Sequence, residues 1–263
     1  MAGDAEIIVV DNSGDRTLDL AHGKFPGVKL ISSQARWIPQ LWEEGIQQSC
    51  GEVIALTTAH CVPQKDWIGQ IHKAHKNPYA GIGGAIENDG SGGIVEWAIY
   101  FLRYSRHMLP FLPEIVAEIA ADNASYKRKF LDCCQGVRRN GFWEPVVHAE
   151  LRRAGQKIWR TPAIVVTHKK SFGLFRFLQQ RFWHGRQFGS GRSANLTKSG
   201  RMVHVILSPL IPGAYLSRII QEIGSKRKHL KQFFFSLPIL LLFLGSWSLG
   251  ECSGYLWPSR QKI

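Results

Sequence analysis

From Gln232 to Gly250 the chain reads QFFFSLPILLLFLGSWSLG, nineteen residues without a charge. About 20 apolar residues of helix cross the hydrocarbon core of a bilayer, so such a run either spans a membrane or lies buried as a core helix. Pro238 and the serines weaken a span, but the stretch directly before it, KRKHLK (Lys226 to Lys231), favours one. Basic residues collect on the cytoplasmic side of membrane helices, which places the preceding domain in the cytoplasm. Upstream, VILSPLIPGAYLSRII (Val205 to Ile220) is short and broken by proline, and reads as an interfacial or re-entrant helix.

Charge is distributed as unevenly as hydropathy. The chain carries 33 Lys and Arg against 20 Asp and Glu, a formal +13, yet residues 151–231 hold 17 of the bases and one acid, Glu222. Such a block suits nucleic acid, anionic lipid or a phosphorylated ligand. Because it runs into the apolar tail and shows no nucleic-acid-binding module, a nucleic-acid partner is not expected. A length of 263 residues with 44% hydrophobic content excludes a disordered chain and allows one sizeable domain. The five cysteines (Cys50, Cys61, Cys133, Cys134 and Cys252) form no CxxC pair and no disulfide framework, and read as reduced thiols without zinc. Asp4 and Glu6 stand where a secretory signal needs a basic and then an apolar run.

EIIVVDNSGD (Glu6 to Asp15) is a β-branched apolar run that stops at a turn-forming cluster, the pattern of a buried parallel strand. Ligands of open α/β sheets bind at such carboxyl ends, so Asp11 is a candidate binding residue, with a turn-capping role as the alternative. GVKLISS (Gly27 to Ser33) reads as a second strand and EVIALT (Glu52 to Thr57) as a third. Between them Pro39 opens a helix that Trp42, Ile46 and Ser49 continue, and Asp66-Trp67-Ile68 opens another, to about His75. Alternating strands and helices imply an α/β fold with a mostly parallel sheet covered on both faces. YAGIGGAIENDGSGGIVEW (Tyr79 to Trp97) holds a strand and a glycine-rich loop. Ile86 occupies the place of a dinucleotide fingerprint's third glycine, so the loop is an ordinary connection or a flexible cover over a ligand.

The order of these pieces resembles a family 2 glycosyltransferase of the GT-A fold, of the membrane-associated bacterial type. EIIVVDNSGDRT is similar to that family's nucleotide-binding strand, and GEVIALTTAHCVPQKDWI (Gly51 to Ile68) to its metal-motif strand. ADNASYKRKFL (Ala121 to Leu131) resembles the acceptor-side segment, FWEPVVHAELRRAGQKI (Phe142 to Ile158) the segment with the catalytic carboxylate, FLQQRFWHGRQFG (Phe177 to Gly189) the basic helix that follows it, and SWSLGECSGYL (Ser246 to Leu256) the membrane tail of some members. The resemblance implies a GT-A-like domain over residues 1–190, a basic juxtamembrane region over 191–231 and a membrane segment over 232–256, at a cell inner membrane with the catalytic domain cytoplasmic. It also implies a nucleoside diphosphate sugar as donor and a lipid-linked or glycan acceptor. Three departures accompany it. The family's first strand and helix have no counterpart before Glu6, the Arg-Asn of the helix ahead of the metal strand is replaced around Trp42-Glu43, and the Asp-x-Asp reads Thr58-Ala59-His60.

Glycosyl transfer needs a base for the acceptor hydroxyl and positive charge for the departing diphosphate. By the resemblance Glu144 is the base; with Pro145 in the first helical turn it also reads as a helix cap, which is the structural alternative. His148, one turn on, either pairs with Glu144 or touches the acceptor, or is a surface histidine. The resemblance places Asp11, Asn12, Ser13, Thr58 and His60 on the nucleotide-sugar side, and Asp122 and Asn123 on the acceptor side. Without the aspartates no cofactor is assigned, since Mg²⁺ and Mn²⁺ prefer oxygen ligands. His60 and His168 holding a softer metal is one repair. Cationic His60, Lys169, Arg181 and Arg186 meeting the diphosphate directly is the other, against a plain basic face beside a membrane. The competing reading is a degenerate, non-catalytic relative that binds a glycan or protein partner.

Overall fold

The computed structural model describes residues 5–169, 172–193 and 196–258. In chain order its elements are β1 (Ile8–Asp11), α1 (Thr17–Lys24), β2 (Lys29–Ser32), α2 (Ile38–Gln48), β3 (Val53–Thr57), β4 (Cys61–Pro63), α3 (Trp67–Ala74) and β5 (Gly81–Asn88). There follow α4 (Ile94–Tyr104), β6 (Glu114–Val116), β7 (Asn123–Lys127), α5 (Arg128–Asp132), α6 (Gln135–Arg138), α7 (Glu144–Arg153) and β8 (Ile158–His168). Four helices end the chain: α8 (Leu174–Ser193), α9 (Lys198–Leu207), α10 (Ile211–Lys226) and α11 (Leu230–Leu256). The chain forms two compact units, Met1–Ala85 with Phe111–Val166 and Ile86–Pro110 with Thr167–Ile263. This division differs from the three consecutive segments expected from sequence. In α4, Trp97, Ala98, Ile99, Tyr100 and Phe101 are all buried, a helix apolar on every side that needs cover all round, and it belongs to the same unit as the C-terminal helices.

In the first unit β1 and β2 pair in parallel, Ile8 opposite Lys29 and Asp11 opposite Ser32. They form a sheet of their own, apart from a six-stranded sheet ordered β3-β7-β5-β8-β4 with β6 on β8. The expected α/β layering is present, but strand direction is mixed: β7 runs antiparallel to both β3 and β5, and β6 antiparallel to β8. Between β5 and β7 the chain passes through α4 and β6. Among the described residues no strand lies on the far side of β1 or of β3. The Glu6 carboxylate ties the two sheets at their entrance by accepting the Cys50 and Gly51 N–H groups.

The core of this unit follows from the strand period. Ile54 and Leu56 of β3 point inward and Ala55 between them is exposed. They meet Tyr126, Phe142, Val147 and Leu151, all buried. The Gly81, Gly83 and Gly84 stretch, read from sequence within a strand and a glycine-rich loop, is strand β5. A Cβ on Gly83 would collide with Ile119, and one on Gly84 with the Ile164 carbonyl and the Asn123 amide, so close approach and not mobility requires these glycines.

In the second unit α8 and α11 approach backbone to backbone through glycine. Side chains at Gly185 and Gly189 would strike the Trp247 and Glu251 carbonyls, and at Gly250 and Gly254 those of Phe182 and Arg186. The segment expected as a short interfacial helix is helical from Lys198 to Lys226, with Pro209 and Pro212 in first-turn positions that do not break it. This run and Leu230–Leu256 are both long and apolar enough to cross a membrane. Arg227 and His229, at φ 50° and 58°, make the tight turn between them. The basic collar is partly spent inside the unit: Lys226 Nζ donates to the Ser105 and Arg106 carbonyls at 2.6 and 3.0 Å, and Lys228 pairs with Glu87. Arg227 and Lys231 remain exposed. The five cysteines form no disulfide.

Candidate functional site

Three segments distant in sequence meet where β3 ends. The strand leaves through the turn Thr58–His60, closed by the Cys61 N–H on the Thr58 carbonyl at 2.9 Å. Opposite it, the residues entering β7 are Ala121, Asp122 and Asn123, with Thr57 paired to Asn123. Thr57 Oγ1 donates to the Asp122 carbonyl at 3.0 Å, and Thr58 Oγ1 to Asp122 Oδ1 at 2.9 Å. Glu144, the first residue of α7, accepts the Ala121 N–H at 2.5 Å. Its carboxylate thus holds the loop beside Asp122. Trp143, not Glu144, occupies the N-cap position, with Pro145 just inside the helix. Pro145 fits there because an N-terminal N–H lacks a helical partner in any case.

Asn123 is almost fully buried and saturated. Its Nδ2 donates to the Ala85 and Ile164 carbonyls at 2.8 and 3.1 Å, and its Oδ1 accepts from Trp67 Nε1 at 2.8 Å. It clamps β5 and β8 to α3, which leaves it no group for an acceptor. His148 is buried without exposed surface, not on the surface; its Nε2 shares a hydrogen bond with the Tyr126 hydroxyl at 2.8 Å. Burial, with a smaller contribution from Arg152, lowers its pKa to about 4, so it is neutral. His75, hydrogen-bonded to Ser125 Oγ at 2.8 Å, is held at about 4 by burial and by Lys127.

Asp11 ends β1 half-buried and folds back on its own turn, its Oδ2 accepting from Ser13 Oγ at 2.7 Å. Asn12 and Ser13 are exposed, Asn12 Nδ2 donating to the Ala35 carbonyl at 2.6 Å. The turn-capping reading of Asp11 describes what its carboxylate does here. His60 is half-buried in the turn after β3.

The remaining sequence candidates belong to the second unit. His168 is buried beside the rings of Tyr100 and Tyr104, at 6.3 and 5.2 Å between centroids. Lys169 is exposed. Arg186 lies over Trp183 at 5.4 Å, and Arg181 between Phe177 and Trp247. Among the described residues no group of three or more His, Cys, Asp and Glu side chains could hold a metal ion. With the Thr58 hydroxyl committed to Asp122, the turn that replaces the Asp-x-Asp does not fit a Mg²⁺ or Mn²⁺ site.

Sequence reasoning missed two groups that shape the site. Trp42 Nε1 donates to the Thr57 carbonyl at 3.2 Å, and the buried Glu43–Arg138 pair at 2.8 Å fixes α2 to α6. Trp42 and Glu43 are the residues standing where the Arg-Asn was expected, so that departure has a structural use. Nothing in the local pattern of Arg138 marked it as their partner.

Known proteins bear on this arrangement in two ways. The sequence profile described as Glycosyl transferase family 2 matches residues 2–135, the stretch from β1 to α6, and ends before Glu144. Among curated proteins none matches the sequence. Among solved structures, the mannosyltransferase PcManGT from Pyrobaculum calidifontis, in complex with GDP-Man and Mn²⁺, aligns at TM-score 0.52 and 12% identity over 94% of this chain and 77% of that one. GalNAc-T7 with UDP, GalNAc and Mn²⁺ aligns at TM-score 0.48 and 16% identity, over 73% of this chain and 45% of that one. With the profile covering half of its length and the fold GT-A-like, the chain belongs to glycosyl transferase family 2 and is a glycosyltransferase.

Proposed function

We propose that the protein is a membrane-associated inverting glycosyltransferase that moves a sugar from a nucleoside diphosphate sugar to a lipid-linked or polysaccharide acceptor, with Glu144 as the base. The reading is carried by the meeting of Glu144 with the loop before β7, whose Asp122 is held by Thr58 at the end of β3. Three segments that the family resemblance assigned to catalysis, acceptor and donor are there joined by hydrogen bonds. The carboxylate takes the proton from the acceptor hydroxyl, the oxygen attacks the anomeric carbon, and the bond to the diphosphate breaks with its electron pair on the leaving group. His60 contributes positive charge to the diphosphate in place of a metal. His148 has no part in the proton transfer; neutral and buried on the inner face of α7, it fastens that helix to β7 through Tyr126.

Membrane association rests on the apolar faces of the two long helical runs. Ile206 and Leu210 in the first are 68% and 67% exposed, and Phe234 and Leu249 in the second 71% and 68%, which is costly in water and favourable in lipid. Glu144→Gln tests the chemistry. The amide oxygen still accepts the Ala121 N–H, so the fold is kept, while turnover drops about 10²- to 10⁴-fold at nearly unchanged donor affinity. Equal turnover in an active wild type would reduce Glu144 to the role of holding that loop.

A degenerate, non-catalytic binder is the second reading, and the absence of a metal-binding group among the described residues favours it. Wild-type protein that binds donor and never transfers or hydrolyses it would put this reading first.

A further inference from the structure

The second unit contains a cavity of ≈ 150 Å³ lined by Leu102 of α4, Arg181 of α8, Tyr215 of α10, and Phe243, Leu244 and Trp247 of α11. Its walls are mostly hydrocarbon and aromatic rings; besides the Tyr215 hydroxyl and the Trp247 indole N–H, the latter spent on Glu251 at 2.9 Å, the polar group is the guanidinium of Arg181. That group lies 4.9 Å from the Phe177 ring centroid and 5.5 Å from that of Trp247. Nη2 donates to His184 Nδ1 at 2.9 Å, whereas Nε is sealed from solvent and has no hydrogen-bond partner. Among the described residues no carboxylate pairs with Arg181.

Arg181 is half-buried with its Nε sealed off, and a guanidinium drawn even partly out of water is costly unless an anion meets it. Among the groups around it Arg103 opposes its charge, while Tyr104 and Tyr215 favour it. Burial, with Arg103 adding to it, lowers the Arg181 pKa to about 10, and the His184 ring beside it is neutral, its own pKa pulled to about 4 by burial and Arg181. The cavity is too small for a nucleotide or a sugar chain, and its apolar walls offer hydroxyls little; a short length of hydrocarbon or one ring fills such a volume. Two of its walls, α10 and α11, belong to the helical runs long enough to cross a membrane, so acyl chains are the hydrocarbon at hand.

We propose that this cavity binds a bilayer lipid with a phosphomonoester head, its free phosphate on Arg181 and the first part of an acyl chain against Leu102, Phe243 and Leu244. The inference rests on the membrane association proposed above, and on none of the transfer chemistry. The assignment takes Arg181 away from the nucleotide-sugar role expected of it, since its surroundings suit a lipid head and not a diphosphate nucleoside.

The test is calorimetric titration of the full chain, in a non-ionic detergent free of phospholipid, with dihexanoyl phosphatidic acid, dihexanoyl phosphatidylcholine and inorganic phosphate. Phosphatidic acid should bind at least about tenfold more tightly than phosphatidylcholine, and Arg181→Gln should weaken it about 10- to 100-fold, the loss of a charge-assisted hydrogen bond, with a smaller effect on phosphatidylcholine. Leu102→Trp, which fills the apolar end and keeps the charge, should weaken both lipids. Equal binding of the two lipids, or unchanged phosphatidic acid binding in Arg181→Gln, overturns the proposal. Inorganic phosphate binding as tightly as phosphatidic acid overturns it in favour of a free-anion site. Should Arg181→Gln not fold, unchanged binding in Leu102→Trp is decisive against it. No sugar donor is present, so an inert transferase that binds the lipid and an active one that does not are told apart.

Discussion

His148 makes the stability of the first unit depend on pH in a direction that can be worked out. Folded, it is buried on Tyr126 with a pKa of about 4; unfolded, its imidazole titrates near 6.5. A depressed folded pKa means that the unfolded chain takes up the proton first as pH falls. The contribution of His148 is therefore complete above about pH 6.5 and is lost on the way down to about pH 4. At about 1.4 kcal/mol per pH unit between the two values, the loss by pH 5 is about 2 kcal/mol. His75, in the same unit and also held at about 4, loses a similar amount. In His148→Gln the titrating ring is gone, so from pH 7.5 to 5 the variant should lose about 2 kcal/mol less than wild type, whatever the substitution costs at neutral pH. Urea unfolding of both proteins in detergent, read by pulse proteolysis at several pH values, measures the difference, in which other titrating groups cancel. A wild-type-minus-variant difference that stays flat from pH 7.5 to 5 would refute the reasoning, because it would mean that the folded protein protonates His148 as readily as the unfolded chain.

Replacing Asn123 by Leu strands the Trp67 N–H and the Ala85 and Ile164 carbonyls in the interior, and should destabilise the unit by about 3 kcal/mol or more, seen as a lower urea midpoint. Trp67→Phe, which strands one acceptor only, should cost about 1 kcal/mol. Nucleoside diphosphate binding, measured by calorimetry, should survive EDTA, because the turn Thr58–His60 and its neighbours supply no metal-binding group among the described residues. Binding abolished by the chelator and restored by Mn²⁺ would restore the metal to the site.

What the sequence determined by itself is what short-range physics controls. The β1 run and its stop at Asp11, the helix entries at Pro39 and Asp66-Trp67, strand β3 and the long apolar helix α11 are written in periodicity, β-branching and turn residues within a few positions of one another. The order of those pieces carried the family. The tertiary structure decided everything that depends on which residue arrives from far along the chain. Glu144 looked like a helix cap because Pro145 follows it, and its partner proved to be the backbone of Ala121, 23 residues upstream. His148 read as a partner of Glu144, an acceptor contact or a surface residue because only its spacing within α7 was visible, yet Tyr126 of β7 is its partner and it is buried. The glycines of β5 read as part of a strand and an ordinary or covering loop, since only the approach of Ile119, Asn123 and Ile164 shows why no side chain fits there. Arg181 read, with Lys169 and Arg186, as a diphosphate-binding base of the basic block until α4, α10 and α11 set mostly apolar walls around it. Propensity acts over a turn or two of chain, whereas burial and the partner of a polar group are set by segments tens of residues apart, and these fix the chemistry of a side chain.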